Sequence, residues 1–246
     1  MRCRRRILEA CVTVAAVASV AASSAQSAAP VIPRTADGRP DLQGIWQAAG
    51  DTATDVGVAI PYQPWAAEKK ANNFKERQML DPLANCYLLG VPRLMYMPYP
   101  FQIFQTPQKV AIAFSWSLDF RILYTDGSVP PAGIDFWLGD SRGRWEGDTL
   151  VVDVTNHNDK TWFDKAGNFH GAALHVVERY KLIDADTINY TATIQDPDVF
   201  TAPWTIDVRL LRQKQLARLP EFHCNAEAEE ASGAFERNPR TWYPKR

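Results

Sequence analysis

The feature that most constrains the fold is a succession of short β-like runs that begins at Phe101 and continues through most of the remaining chain. In the clearest run, Val110, Ile112 and Phe114 alternate with alanines, which is the two-residue period of a half-buried strand. Asp-Ala-Asp at 184–186 separates two runs and is typical of a hairpin turn. Six further runs cover residues 101–105, 120–124, 149–155, 174–182, 187–195 and 204–212. The pattern predicts an all-β domain, an antiparallel barrel or sandwich.

A Gly-x-Trp sequence at Gly44 and Trp46 precedes these runs and predicts an additional first strand. It resembles the start of lipocalin-like barrels, in which the tryptophan closes one end. We therefore expect Trp46 in the core and interpret residues 41–246 as a single antiparallel, lipocalin-like β-barrel domain. The part of the chain that follows residue 25, about 220 residues, is long enough to build one such core.

Residues 64–80 predict one peripheral helix. A proline suits the first turn of a helix, and charged residues separate Trp65, Phe74 and Leu80, which can form an apolar side. Upstream, residues 26–40 contain three prolines and show little apolar periodicity. That composition predicts an extended N-terminal arm.

Residues 137–148, with the sequence WLGDSRGRWEGD, combine charged side chains with glycines. Gly139, Gly143 and Gly147 recur every four residues, so the backbone can turn sharply three times. We interpret this segment as a structured loop that ends in a Gly-Asp turn. From Thr149 onward, β-branched and apolar residues indicate a strand.

Residues 1–25 are typical of an export signal, because basic residues precede an apolar stretch and then small residues. The apolar stretch at 12–22 is shorter than the roughly 20 residues of a membrane span. We therefore expect a periplasmic or secreted protein, exported by the Sec or the twin-arginine route. The segment contains four arginines and one glutamate, so the mature chain has 23 basic and 27 acidic residues. That balance argues against a nucleic-acid partner.

Two of the four cysteines, Cys86 and Cys224, remain after removal of the signal. Disulfides persist in oxidising compartments, so we expect these two cysteines to be bonded. Closing so long a loop would stabilise the fold by about 3–5 kcal/mol, mainly by restricting the unfolded chain. Two buried thiols or a metal-binding pair are the alternatives.

Candidate site residues lie in residues 137–148, in residues 156–171 and in residues 96–101 with the arginine just upstream. Long connections that are rich in aromatic residues are often functional. We expect them to bind a small, largely apolar or aromatic molecule, with apolar walls and a few orienting polar groups. The predicted ligand-binding residues are Arg93, Tyr96, Tyr99, Trp137, Asp140, Arg142, Lys160 and Trp162.

His170, His175 and Asp164 are the candidate catalytic residues. Histidine titrates near neutrality, and a nearby carboxylate can tune it for acid/base catalysis. A salt-bridged network that holds the loops is the structural alternative. His170, His175 and Glu178 are also metal-ligand types, but a regular strand would point His175 and Glu178 to opposite faces. We therefore predict no metal, and the absence of phosphate-loop and dinucleotide motifs predicts no cofactor.

Several longer motifs carry a family resemblance. With PRTADGRPDLQGIW, GVPRLMYMPYPFQIFQTP and HVVERYKLIDADTI, the segment GDSRGRWEGDTLVVD resembles a widespread, uncharacterised family of exported bacterial proteins. The resemblance covers nearly all of residues 33–225 and implies export and a single domain. The chain departs from the family pattern at residues 168–171, where the family has a proline before the histidine.

Two functions are compatible with these patterns. The first is a small-molecule-binding barrel that acts as a cofactor-independent lyase, isomerase or hydrolase through histidine acid/base chemistry. The second is a non-catalytic ligand carrier or envelope protein that uses the same cavity.

Overall fold

The computed structural model describes residues 30–222 and Cys224, and within this part of the chain nine strands close into a barrel. The predicted export signal, residues 1–25, and the first residues of the predicted arm lie outside the described residues. The strands are β1 (Gly44–Ala48), β2 (Phe101–Gln105), β3 (Lys109–Phe114), β4 (Phe120–Tyr124), β5 (Asp140–Glu146), β6 (Thr149–Thr155), β7 (His175–Asp184), β8 (Thr187–Gln195) and β9 (Trp204–Arg212).

One strand pair of the barrel is parallel, which corrects the prediction of a purely antiparallel barrel. Each strand pairs with the next and β9 pairs with β1, and among these nine pairs only β4–β5 is parallel. In a closed ring of strands, the strand direction must return to its starting value, so the number of antiparallel pairs is even. Nine strands therefore require at least one parallel pair.

The interpretation of residues 137–148 as a loop is wrong for most of this segment. Strand β5 pairs with β6 over seven residue pairs, and only Gly147 and Asp148 form the turn between them. On the outer wall, Arg144 forms an ion pair with Asp153 of β6. Arg179 of β7 lies 3.0 Å from Glu146. Cross-strand charge pairs therefore take the place of the apolar alternation that usually marks a strand.

The predicted helix over residues 64–80 is divided into α1 (Pro64–Lys75) and α2 (Arg77–Leu80). Its predicted apolar residues Trp65, Phe74 and Leu80 remain about half exposed. The helix instead buries Asn73, whose side-chain amide donates to the Gly167 carbonyl at 3.2 Å. A Cβ atom at Gly167 would lie 2.7 Å from the backbone nitrogen of Phe74, so this close approach requires glycine.

The barrel interior is filled by large side chains, most of them apolar. Trp46 is fully buried, as predicted, and its indole nitrogen donates to the Leu42 carbonyl at 2.9 Å. The Arg212 guanidinium lies 4.1 Å from the centre of the Trp46 ring. Other large buried side chains include Phe101, Tyr180 and Tyr190.

The ends of the described chain are held against the barrel. The predicted disulfide between Cys86 and Cys224 is present. Phe222 packs on Tyr99 with ring centroids 4.7 Å apart. At the other end, residues 34–40 form a turn closed by a bridge between Arg34 and Pro40, so this part of the predicted arm is not extended. No helix in the described residues is both long enough and apolar enough to span a bilayer.

Candidate functional site

A cleft opens in the barrel wall where the parallel strands β4 and β5 meet. These strands share only two residue pairs, Leu123–Ser141 and Tyr124–Arg142. Parallel neighbours need a crossover connection, because the chain must return to the starting end of the sheet. Here residues 125–139 make that crossover. The cleft beside the short seam has a volume of about 400 Å³ and is lined by β4, the end of the crossover and the start of β5.

The cleft combines aromatic walls with a few polar groups. Its aromatic lining residues are Phe120, Tyr124, Phe136 and Trp137, and its polar ones are Arg121, Asp135, Asp140 and Ser141. Phe120 is 71% exposed although it belongs to a strand, and Ile134 at the end of the crossover is 50% exposed. Apolar side chains exposed together on a soluble surface are typical of a binding site.

Arg121 lies at the inner side of the cleft and is only 3% exposed. Its two terminal nitrogens donate to the two carboxylate oxygens of Glu178, and its Nε donates to the Ser141 hydroxyl oxygen at 3.0 Å. Two tyrosines complete the coordination of Glu178 Oε1: Tyr180 donates at 3.0 Å and Tyr190 at 2.7 Å. This cluster of five side chains, the Arg121–Glu178 network, joins β4, β5, β7 and β8 across the barrel interior.

The protonation states of the network follow from its geometry. Burial lowers the pKa of Arg121, but the Glu178 carboxylate and the two tyrosines reverse this effect, and the pKa is raised overall. Burial, and then the nearby Glu178 charge, holds the pKa of Tyr180 and Tyr190 well above the ordinary value. Arg121 therefore stays charged, and both tyrosines keep the protons that they donate.

Charged groups also surround the outer part of the cleft. Asp140 accepts hydrogen bonds from the Arg142 guanidinium, with a distance of 2.8 Å from Nη2. Arg142 in turn lies 4.5 Å from the centre of the Tyr124 ring. Lys160 lies 5.8 Å from the centre of the Trp137 ring, and the Tyr87 ring also packs against Trp137. Ion pairing and contact with aromatic rings thus hold the cationic side chains at the rim.

His157 lies directly behind the cleft and is 1% exposed. Gly139 lies between the cleft and the His157 ring: it lines the cleft, and a Cβ atom at this residue would lie 2.7 Å from His157 Cε1. Neither ring nitrogen has a hydrogen-bond partner among the described residues. Burial, then the nearby His170 and the Arg121 charge, lowers the pKa of His157 to about 3; a polar contact with the Val154 backbone, which does not have the geometry of a hydrogen bond, acts in the opposite direction. The ring is therefore neutral at physiological pH.

The structure brings four of the predicted ligand-binding residues to this cleft. Trp137 and Asp140 line it, and Arg142 and Lys160 contact lining residues from outside. Tyr99 lies elsewhere, packed between Trp116 and Phe222.

Three further predicted ligand-binding residues are buried: Arg93 and Tyr96 in the segment before β2, and Trp162 in the connection between β6 and β7. Arg93 is fully buried and donates to both carboxylate oxygens of Asp81, at 2.7 and 2.9 Å. The Tyr96 hydroxyl donates to the Phe163 carbonyl at 2.8 Å. Trp162 is 9% exposed and forms a bridge with Phe169. The Tyr96 and Trp162 contacts hold the connection between β6 and β7, and the Arg93–Asp81 ion pair joins the segment before β2 to the end of α2.

Two of the three predicted catalytic residues, Asp164 and His170, lie in the connection between β6 and β7, and His175 is the first residue of β7. His170 bonds to the Thr161 hydroxyl at 2.7 Å and to the Gly171 carbonyl at 2.8 Å, and burial lowers its pKa. The contact with a carbonyl assigns the proton to Nδ1 and leaves Nε2 as an acceptor. His175 lies on the outer wall, 3.2 Å from Asp153.

Asp164 is a structural carboxylate of the same loop. It accepts hydrogen bonds from the backbone of Val56, Ala166 and Asn168 and from the Asn168 side chain. Burial raises the pKa of Asp164, and these hydrogen bonds act against that shift. No hydrogen bond joins Asp164, His170 and His175 to one another in the described residues, so their catalytic role stays a prediction.

Sequence reasoning missed Arg121, Ser141 and His157. Arg121 lies in the run FRILY, where the two-residue period suggests that Phe120 and Ile122 face the core. The opposite holds, since Arg121 and Leu123 point inward. Glu178 could have indicated a buried cation, because the strand period places it on the same inward face of β7 as Val176 and Tyr180. A carboxylate buried there needs a charged or hydrogen-bonding partner.

In the described residues, no group of three or more His, Cys, Asp or Glu side chains is placed to hold a metal ion. Comparison of the chain with protein-family models, with curated protein sequences and with solved structures gives no match.

The Arg121–Glu178 network generates a prediction about stability. Glu178→Leu removes the carboxylate and leaves the Arg121 charge buried without a partner. We expect the free energy of unfolding to fall by about 3–5 kcal/mol, the usual cost of breaking a buried pair. Denaturant unfolding of the wild type, both single variants and the double variant Arg121→Met/Glu178→Leu measures it. The double variant should lose less than the sum of the two single losses. Strict additivity would contradict the pairing.

His157 generates a prediction about pH. The unfolded chain binds a proton near the ordinary histidine pKa of 6.5, whereas the folded protein does so only near pH 3. Between these values the unfolded state holds more protons, so stability decreases as the pH falls, by roughly 1 kcal/mol per pH unit. We expect His157→Leu to reduce this slope in unfolding experiments. Val154→Ala, a neighbouring buried change without a titrating group, should lower stability equally at each pH. An unchanged slope in His157→Leu would refute the assignment.

Proposed function

We propose that this protein binds a small, largely apolar or aromatic molecule in the cleft between β4 and β5. The observation that carries the proposal is the opening in the barrel wall, with aromatic sides and buried polar groups at its inner end. Its volume of about 400 Å³ lies in the range typical of small-molecule sites, roughly 300–1,000 Å³.

The surroundings of the cleft support the same ligand class. Phe120 and Phe136 line the cleft and present apolar surface to solvent, as does Ile134, which precedes the lining residue Asp135 along the chain. Tyr87 is also exposed and packs against Trp137, with ring centroids 5.3 Å apart. Covering these side chains with an apolar ligand would remove their surface from water, which is the main driving force for such binding.

Binding without catalysis is the form of the proposal that these positions favour. An acid/base role for His170 or His175 would require a ligand close to one of these rings, but neither histidine lines the cleft. Both nitrogens of His170 are already engaged in hydrogen bonds. We therefore prefer a ligand carrier over a lyase, isomerase or hydrolase.

The proposal includes a lipocalin-like barrel that acts outside the cytoplasm, in the periplasm or as a secreted protein. The disulfide between Cys86 and Cys224 supports it, because such bonds persist in oxidising compartments. The buried Gly-x-Trp tryptophan, Trp46, supports the likeness to lipocalins.

Trp137 provides the test of the binding site. We expect butylbenzene, an uncharged aromatic probe, to bind the wild-type protein in a titration followed by ligand-observed NMR. Trp137→Ala removes one wall of the cleft, and the lost apolar contact should weaken binding about tenfold or more.

Trp65→Ala is the matched control, because Trp65 is a half-exposed tryptophan on α1 that does not line the cleft. It should bind butylbenzene as the wild type does. Equal loss of affinity in both variants, or no binding to the wild type, would rule out the proposed site.

A further inference from the structure

Ser141 occupies a special position in the cleft. It lies at the start of β5, opposite Leu123 at the parallel seam, and it is one of the lining residues. Its side chain is buried, with 2% of the residue exposed. It therefore stands where the apolar cleft meets the polar interior of the barrel.

The Ser141 hydroxyl has a hydrogen to donate. A serine hydroxyl can donate one hydrogen bond and accept two. Ser141 Oγ accepts from Arg121 Nε at 3.0 Å, and no group among the described residues accepts its own hydrogen. The positive charge of Arg121 polarises the hydroxyl and strengthens it as a donor.

Arg121 itself is not free to bind an anion. Its Nε donates to Ser141, its Nη1 to Glu178 and Tyr180, and its Nη2 to Glu178, so four of its five N–H groups are engaged and its charge is paired with a carboxylate. Rotating the guanidinium toward the cleft would leave the buried Glu178 carboxylate without its cation, which is costly. Because Glu178 already neutralises the charge of Arg121, we take the Ser141 hydroxyl as the group that donates to a ligand at this end of the cleft.

The remaining charges of the cleft disfavour an anionic ligand. Two of the lining residues, Asp135 and Asp140, carry carboxylates. Asp140 is neutralised by Arg142, but Asp135 forms no ion pair with another described residue. A ligand carboxylate beside Ser141 would meet this negative charge without gaining a cation of its own.

We propose that Ser141 selects ligands with a neutral oxygen acceptor, such as an aryl ketone or ester carbonyl attached to the apolar part. This inference rests on the proposed binding function and specifies the chemical class of the ligand. The aromatic part lies against Trp137 and Phe120, and the carbonyl oxygen accepts from the Ser141 hydroxyl. Arg121 and Glu178 act as positioning residues that hold this hydroxyl in place.

Three probes distinguish a preference for a neutral oxygen acceptor from general binding of apolar molecules. Butylbenzene and butyrophenone have the same carbon skeleton and differ only in the carbonyl, and phenylbutyrate carries a carboxylate instead. In NMR titrations of the wild type, we expect butyrophenone to bind about fivefold more tightly than butylbenzene, the effect of one net hydrogen bond. Phenylbutyrate should bind more weakly than butyrophenone.

Ser141→Ala should remove the preference for butyrophenone and leave the affinity for butylbenzene close to that of the wild type. Ser141→Thr keeps the hydroxyl and should keep the preference. Ser115→Ala, which changes a buried serine outside the cleft, should leave all three affinities unchanged. Circular dichroism of each variant shows whether it is folded.

The outcomes distinguish this inference from the proposed function. If butylbenzene and butyrophenone bind the wild type equally, or if Ser141→Ala retains the preference, the role of Ser141 is overturned while the binding cleft stands. If phenylbutyrate binds most tightly, the ligand class is overturned. If none of the three binds, the proposed function fails as well.

Discussion

The odd number of strands in the barrel is the constraint on which the candidate site depends. A closed ring with nine strands cannot be antiparallel throughout, and here the one parallel pair among the described strands falls between β4 and β5. A parallel pair needs a crossover, which residues 125–139 provide, and the two strands overlap by only two residue pairs. The cleft lies beside this seam, lined by β4, by the end of the crossover and by the start of β5. The proposed binding site therefore lies at the side of the barrel.

The Arg121–Glu178 network adds side-chain contacts where β4 and β5 overlap by only two residue pairs. Few backbone hydrogen bonds join β4 to β5, but Arg121 of β4 reaches Ser141 of β5 and Glu178 of β7 inside the barrel. Tyr180 and Tyr190 satisfy the rest of the carboxylate. Replacing a buried ion pair by apolar side chains often costs no stability, so we infer that this pair serves mainly to specify one arrangement of the strands. The same side chains place a polarised hydroxyl at the inner end of an apolar cleft, so one network serves both the fold and the proposed site.

Local pattern predicted much of the fold but little of the site. The strands with regular alternation, such as β3, β8 and β9, follow from the sequence because one face of each is apolar. Strand β5 was missed since its outer face is held by ion pairs with β6 and β7, which sequence periodicity does not register. For the site, Trp137 and Asp140 were identified from their polar, aromatic segment. Arg121 and His157 were not, because their burial depends on partners and neighbours that are distant along the chain. The predicted Asp164 and His170 have the residue types of a catalytic site, but in the fold they bond to their own loop.

The most direct test of the cleft is a nitrogen-15 NMR titration of the wild-type protein with butyrophenone. We expect the largest chemical-shift changes at the Trp137 indole N–H and the Ser141 backbone N–H, with smaller changes along the end of the crossover. The polar pocket formed by Thr35, Gln43 and Gln105 lies outside the cleft and should show no such change. Shift changes confined to that pocket, or to the loop around His170, would show that the ligand does not bind in the cleft between β4 and β5.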